Sequence, residues 1–165
     1  MTRRGSLLWA VAIATAVFFV DQGIKSLVED SMRVGQSISV VPGLLDLTYI
    51  KNDGGAFGIL GGSRLLLLAG SAVAVVVVLW LLLSGRPTRL ATIGGGLILG
   101  GAAGNLLDRL ASGEVTDYVH FSFWYIFNAA DTAIVVGVGL LLLSALRPEP
   151  VGRRPAVDEE QRMGG

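Results

Sequence analysis

Residues 64–86 read RLLLLAGSAVAVVVVLWLLLSGR, twenty-one uncharged residues held between two arginines. As a helix rising about 1.5 Å per residue, that run crosses about 30 Å, the thickness of a bilayer's hydrocarbon core. It predicts a transmembrane helix over about 65–84. Working outward, eighteen more uncharged residues, Leu90 to Leu107, separate Arg89 from Asp108 and predict a span over about 90–108. The two outer runs each contain a single carboxylate. Leu7 to Val20 is apolar until Asp21, and Asp131 is the one formal charge between Phe121 and Leu146. With those residues admitted, spans follow over about 7–28 and 124–146. The predicted fold class is an all-α polytopic membrane protein with four transmembrane helices in one domain, residues 1–146. Residues 147–165, with Pro148, Pro150, Pro155 and mixed charges, read as a disordered tail.

Composition supports the class and removes several chemistries. Of 165 residues, 52% are hydrophobic and 16% charged, against about 25% charged in a soluble domain. Zero net charge without a basic cluster predicts no nucleic-acid partner. The absence of cysteine excludes disulfides, thiolate nucleophiles and Cys-ligated metals. A single histidine, His120, excludes a two-His metal site of the HExxH kind. Any hydrolytic chemistry must lean on carboxylates, and no metal or cofactor is expected. His120 stands beside Phe121, Phe123, Trp124 and Tyr125 and reads as part of an aromatic interfacial belt.

Basic residues orient the chain, because short cytoplasmic flanks retain Lys and Arg. Arg3 and Arg4 precede the first span, Arg86 and Arg89 fill the second link, and Arg147, Arg153 and Arg154 follow the last span. Both termini are expected in the cytoplasm. The first span has cleavage-like Ala12-Ile13-Ala14 and Ala14-Thr15-Ala16 triplets, yet no small polar break follows them, so it is expected to remain as an anchor. On the opposite side lies one sizeable loop, about residues 30–64. In it Ile38 and Val40, then Leu45, Leu47 and Tyr49, alternate around Pro42-Gly43, predicting two short strands and a turn. Ala56 to Leu60 reads as a small surface helix. The cytoplasmic half collects eight of the thirteen basic residues, and the outer half keeps nine of the thirteen acids.

Ionisable side chains inside membrane helices are expensive and therefore candidates for function. Asp21 and Lys25 share one helical face one turn apart, as a local ion pair or as part of a site. Asn105, Asp108 and Arg109 end the third span at i, i+3, i+4, either facing one cleft or forming a polar helix end with Arg109 snorkelling. Asp117 stands in the short link that follows. Asp131 lies about three turns into the fourth apolar region, with Asn128 three residues earlier on its face. Two carboxylates brought together in a poorly solvated site share a proton, one acting as acid and one as base. Spacing alone does not distinguish such a dyad from two unrelated acids. Gly96, Gly100 and Gly104, with Gly95 and Gly101 beside them, form a smooth stripe for close helix packing.

Five blocks in chain order carry a resemblance. They are Asp21-Gln22 with Lys25, Asn52-Asp53-Gly54-Gly55-Ala56-Phe57, Gly104-Asn105-Leu106-Leu107-Asp108-Arg109, Val115-Thr116-Asp117-Tyr118 and Phe127-Asn128-Ala129-Ala130-Asp131. Through them the chain resembles the lipoprotein signal peptidases, the type II signal peptidases of bacteria. The resemblance implies an aspartic endopeptidase of the bacterial cytoplasmic membrane, with its active site toward the extracytoplasmic face. Its partners would be diacylglyceryl-modified prolipoproteins, cleaved immediately before the lipobox cysteine, and membrane lipid, with the enzyme a monomer. It implies Asp117 and Asp131 as the catalytic dyad, Asn105, Arg109 and Asn128 lining the site, Asp21, Lys25 and Asn52 in support, and Asp108 and Gly104 as structural. Thr116 and Tyr118 depart from the Val and Phe common beside the first aspartate, and the link between the aspartates is short. A proton- or ion-coupled transporter would also place carboxylates in membrane helices, although no inverted repeat is evident. A non-enzymatic membrane subunit would leave the Asn and Asp cluster unexplained.

Overall fold

The computed structural model describes residues 2–53, 64–84 and 87–146. Its first helix, α1 (Arg3–Ser31), opens at Thr2, whose hydroxyl accepts the Gly5 amide at 3.2 Å. Its 29 residues extend about 43 Å. Only one seam of α1 is buried, at Ser6, Ala10, Asp21, Lys25 and Val28, while Leu8, Trp9, Val11, Phe19 and Leu27 are exposed. Large apolar side chains facing outward around a partly polar seam are the arrangement expected of a helix solvated by lipid.

After α1 the chain forms β1 (Ser37–Val41) and β2 (Leu45–Asn52), antiparallel and joined by a turn with Gly43 at φ 75°. Two further helices follow, α2 (Arg64–Leu83) and α3 (Arg89–Ala111). Thr88 caps α3 by accepting the Ala91 amide at 3.1 Å. The chain then forms β3 (Val115–Phe121) and α4 (Ala129–Leu146). Among the described residues there are thus four helices, and α1, α3 and α4 are long and apolar enough to cross a membrane. The stretch 64–86, the most uniformly apolar in sequence, supplies the 20-residue α2.

α3 is the central helix, and its glycines determine how closely the others approach. A methyl group at Gly96 would lie 2.8 Å from the Ala10 carbonyl oxygen, and one at Gly94 would lie 2.7 Å from that of Gly137. One glycine row therefore seats α1 and another seats α4, as a packing stripe requires. On the side facing α2, Leu82 and Val78 join Ala10 and Ile98 in a buried cluster. A second cluster, Val28, Met32, Tyr49 and Tyr118, sets the sheet on the C-terminal end of α1.

Three expectations are corrected. The sheet has three strands in the order β1-β2-β3, not two, because the link after α3 is itself a strand antiparallel to β2. Asp117 consequently sits in a strand. The fourth helix starts at Ala129 instead of about 124, so Asp131 lies in its first turn and not three turns in. The cause is local: the Asn128 side-chain oxygen caps the helix by accepting the Asp131 amide at 2.9 Å, and Phe127 is held in a bridge with Val119. Apolarity alone could not reveal that stop. The surface helix expected at Ala56 to Leu60, the Gly54 to Phe57 part of its block, Arg86 and the tail 147–165 lie outside the described residues.

Candidate active site

The site forms where β3 crosses the C-terminal ends of α1 and α3 and the N-terminal end of α4. Val115-Thr-Asp-Tyr-Val-His-Phe121 is rich in β-branched and aromatic residues, so an extended conformation is favoured. Alternation sends Asp117 to one face of the strand and Thr116 and Tyr118 to the other. Asp117 is 1% exposed. Asn128, just before α4, donates through Nδ2 to its Oδ1 at 2.7 Å, and Asn52, the last residue of β2, donates to its Oδ2 at 2.8 Å. Burial pushes the Asp117 carboxyl up to about 6, opposed by the Asn52 hydrogen bond and reinforced by the neighbouring Asp131 carboxylate.

Asp131 is held by a matching set. Its Oδ1 accepts from Asn105 Nδ2 at 2.8 Å, and its Oδ2 faces the Asn128 amide at 3.3 Å. The two asparagines are joined, Asn128 Nδ2 donating to Asn105 Oδ1 at 3.0 Å. Both aspartates line one cavity of about 550 Å³, together with Asn52, Arg109 and the apolar Trp124, Ile126, Phe127 and Ile134.

Lys25 settles which way these amides point. Its Nζ lies 2.9 Å from Asn105 Oδ1, and an ammonium can only donate. Asn105 must therefore turn its oxygen to Lys25 and its NH2 to Asp131. That oxygen also receives Asn128 Nδ2, so Asn128 presents donors to Asp117 and its own oxygen to the start of α4. The buried ammonium is compensated by Asp21 Oδ2 and Asp108 Oδ2, each at 2.7 Å. Asp21 Oδ1 accepts the Ala130 amide at 3.0 Å, tying α1 to the first turn of the helix that carries Asp131. Gly104 leaves room for the Asp21 carboxylate, which a methyl group there would strike.

The ten candidate site residues of the sequence are thus gathered at one place. Asp117, Asp131, Asn52, Arg109, Asn105 and Asn128 surround the cavity or hold its carboxylates. Asp21, Lys25, Asp108 and Gly104 lie behind them as one charge network. The local Asp21–Lys25 pair is present, but it is part of that larger set. Residues without an assigned role also enter. Gln22 donates to Asp108 Oδ1 at 3.0 Å, and the Tyr118 hydroxyl accepts the Ala129 amide at 3.1 Å. The period-two pattern of residues 115–121 was a signal that could have placed Tyr118 on the helix side. Among the described residues no group of three His, Asp or Glu side chains could hold a metal ion.

Residues 13–147 match the family model described as signal peptidase (SPase) II. The lipoprotein signal peptidase of Halothermothrix orenii is 42% identical over 143 residues, covering 85% of this chain and 97% of that protein. That of Solibacter usitatus is 42% identical over 156 residues, covering 87% and 94%. A bacterial membrane enzyme solved by the in meso method at 2.3 Å resolution superposes with a TM-score of 0.77 at 27% identity, covering 86% of this chain and 93% of that one. The matched region contains the whole buried network from Asp21 to Asp131, and the chain belongs to the signal peptidase II family, the lipoprotein signal peptidases of bacterial membranes.

Proposed function

We propose that this protein is an aspartic endopeptidase that removes the signal peptide from diacylglyceryl-modified prolipoproteins, cutting immediately before the lipobox cysteine. The observation that carries the reading is the pair of buried carboxylates, Asp117 and Asp131, facing one apolar cavity and oriented by a shared Asn105–Asn128 amide pair. Two acids so placed titrate as a pair, so that one is protonated while the other is ionised. The ionised member takes a proton from a water as its oxygen attacks the scissile carbonyl carbon. The protonated member donates to the carbonyl oxygen. Collapse of the tetrahedral intermediate breaks the C–N bond, and a carboxyl returns a proton to the departing amine. Asn52, Asn105 and Asn128 orient the carboxylates, and Arg109, on the cavity wall, balances negative charge.

In this reading α2 spans the membrane as α1, α3 and α4 do, both termini are cytoplasmic, and the sheet lies on the extracytoplasmic side. The apolar wall made by Ile126, Phe127 and Ile134 receives the acylated substrate sideways from the bilayer, and the enzyme works as a monomer. A transporter reading is not favoured, because membership in a peptidase family supplies a role for the carboxylates. The test is to incubate the detergent-purified protein with a diacylglyceryl-modified precursor and look for the shortened product. Asp117→Asn and Asp131→Asn should each abolish cleavage. Normal processing by either variant in folded form would make the dyad assignment untenable.

A further inference from the structure

The register of the sheet sets Lys51 of β2 opposite Thr116 of β3. Alternate residues of a strand project to opposite faces. Lys51 and Thr116 therefore face α1, while Asn52 and Asp117, their chain neighbours, face the catalytic cavity. On the α1 side Lys51 Nζ donates to Glu29 Oε1 at 2.6 Å and to Thr116 Oγ1 at 2.9 Å. The Thr116 hydroxyl in turn donates to the same Glu29 oxygen. The three groups close a triangle between α1, β2 and β3.

What lies behind this triangle gives it a purpose. Next to it is a polar cavity of about 380 Å³ bordered by Gln22, Lys25, Asp108, Ser112 and Glu114. The apolar support on the same face, Tyr49 and Tyr118 against Val28 and Met32, begins two residues further along each strand. Close-packed side chains fix a strand's position to fractions of an ångström. A polar cavity cannot. At the level of Asp117, β2 and β3 are tied to α1 by polar contacts.

We propose that Glu29, Lys51 and Thr116 are positioning residues, a three-way clasp that fixes Asn52 and Asp117 against α1 for the proposed cleavage. None of the three reaches the cavity holding the dyad, so the clasp acts through the strands. The inference rests on Asp117 being a reacting group. A misplacement of about 1 Å in an oriented site costs on the order of 100-fold in rate. With the Tyr49 and Tyr118 cluster intact the strands shift less, and a fall in kcat of about tenfold is expected.

The experiment measures kcat, KM and thermal midpoint of the full chain in detergent with a diacylglyceryl-modified precursor. The variants are Lys51→Met, Glu29→Gln, Thr116→Val and the charge-reversed pair Glu29→Lys with Lys51→Glu. The clasp predicts that each single change lowers kcat while KM stays within about twofold, and that the reversed pair regains most of the lost kcat. Thr116→Val keeps the volume and the β-branch, so it reports on the hydrogen bonds should the charge variants fold poorly. Wild-type kcat in all three single variants would overturn the clasp. So would losses of kcat that follow the thermal midpoint and are not regained on reversal. Asp117→Asn is run alongside: if it turns over normally, the dyad reading itself falls, whereas an inactive Asp117→Asn beside fully active clasp variants removes only the clasp.

Discussion

Asp117→Asn should do more than stop the reaction; it should remove a pH-dependent weakness from the folded protein. In an unfolded chain an aspartate ionises near about 3.9. Burial moves the folded Asp117 to about 6. The folded state therefore holds the proton more tightly than the unfolded state does. The stabilisation is fully present below about pH 4 and is lost as pH rises through about 6. A difference of about two units is worth about 3 kcal/mol between those limits. An asparagine carries no such dependence. It also has one oxygen where the carboxylate has two, so the donors of Asn52 and Asn128 cannot both be satisfied. That costs about 1 kcal/mol at every pH. The variant should then be less stable than the parent, by about 1 kcal/mol, at pH 3 and more stable, by about 2 kcal/mol, at pH 8. The assay is thermal unfolding in one detergent across that range. The difference in midpoint should change sign and sweep about 6 °C or more. A difference that stays flat with pH would refute the claim that Asp117 ionises at an energetic cost inside the fold.

Other predictions follow from the same contacts. Lys25→Met leaves Asp21 and Asp108 buried without their cation and frees the Asn105 amide to flip; a loss of about 3–5 kcal/mol in stability should be seen in detergent unfolding, with cleavage abolished. Gly104→Ala forces the added methyl onto the Asp21 carboxylate, which itself holds the Ala130 amide, so yield of folded protein should fall sharply while Gly139→Ala, in open space, leaves it unchanged. Tyr118→Phe removes the acceptor for the Ala129 amide at the start of α4 and should cost about 1 kcal/mol, read as a lower thermal midpoint.

The runs of uncharged residues, the glycine stripe and the basic flanks are one-dimensional signals, because burial in lipid and close helix approach are each satisfied by residue type at helical spacing. They determined the positions of the helices over 64–83 and 89–111 and the glycine stripe of α3; that α1 rests at Gly96 and α4 at Gly94 was decided by the tertiary structure. The carboxylates and amides of the site were legible in the same way, as polar residues in places where polarity is costly. What they do to one another was not legible. An asparagine reads the same whichever way its amide points, and only the contact between Lys25 and Asn105 decides that the NH2 faces Asp131. The third strand depends on pairing between β2 and residues 115–121, some 65 positions away. No local propensity encodes such a partner. Residue type and position are enough to say which side chains would be expensive to bury; which group compensates which is settled in three dimensions, because hydrogen bonds and ion pairs are directional and join segments that the chain keeps far apart.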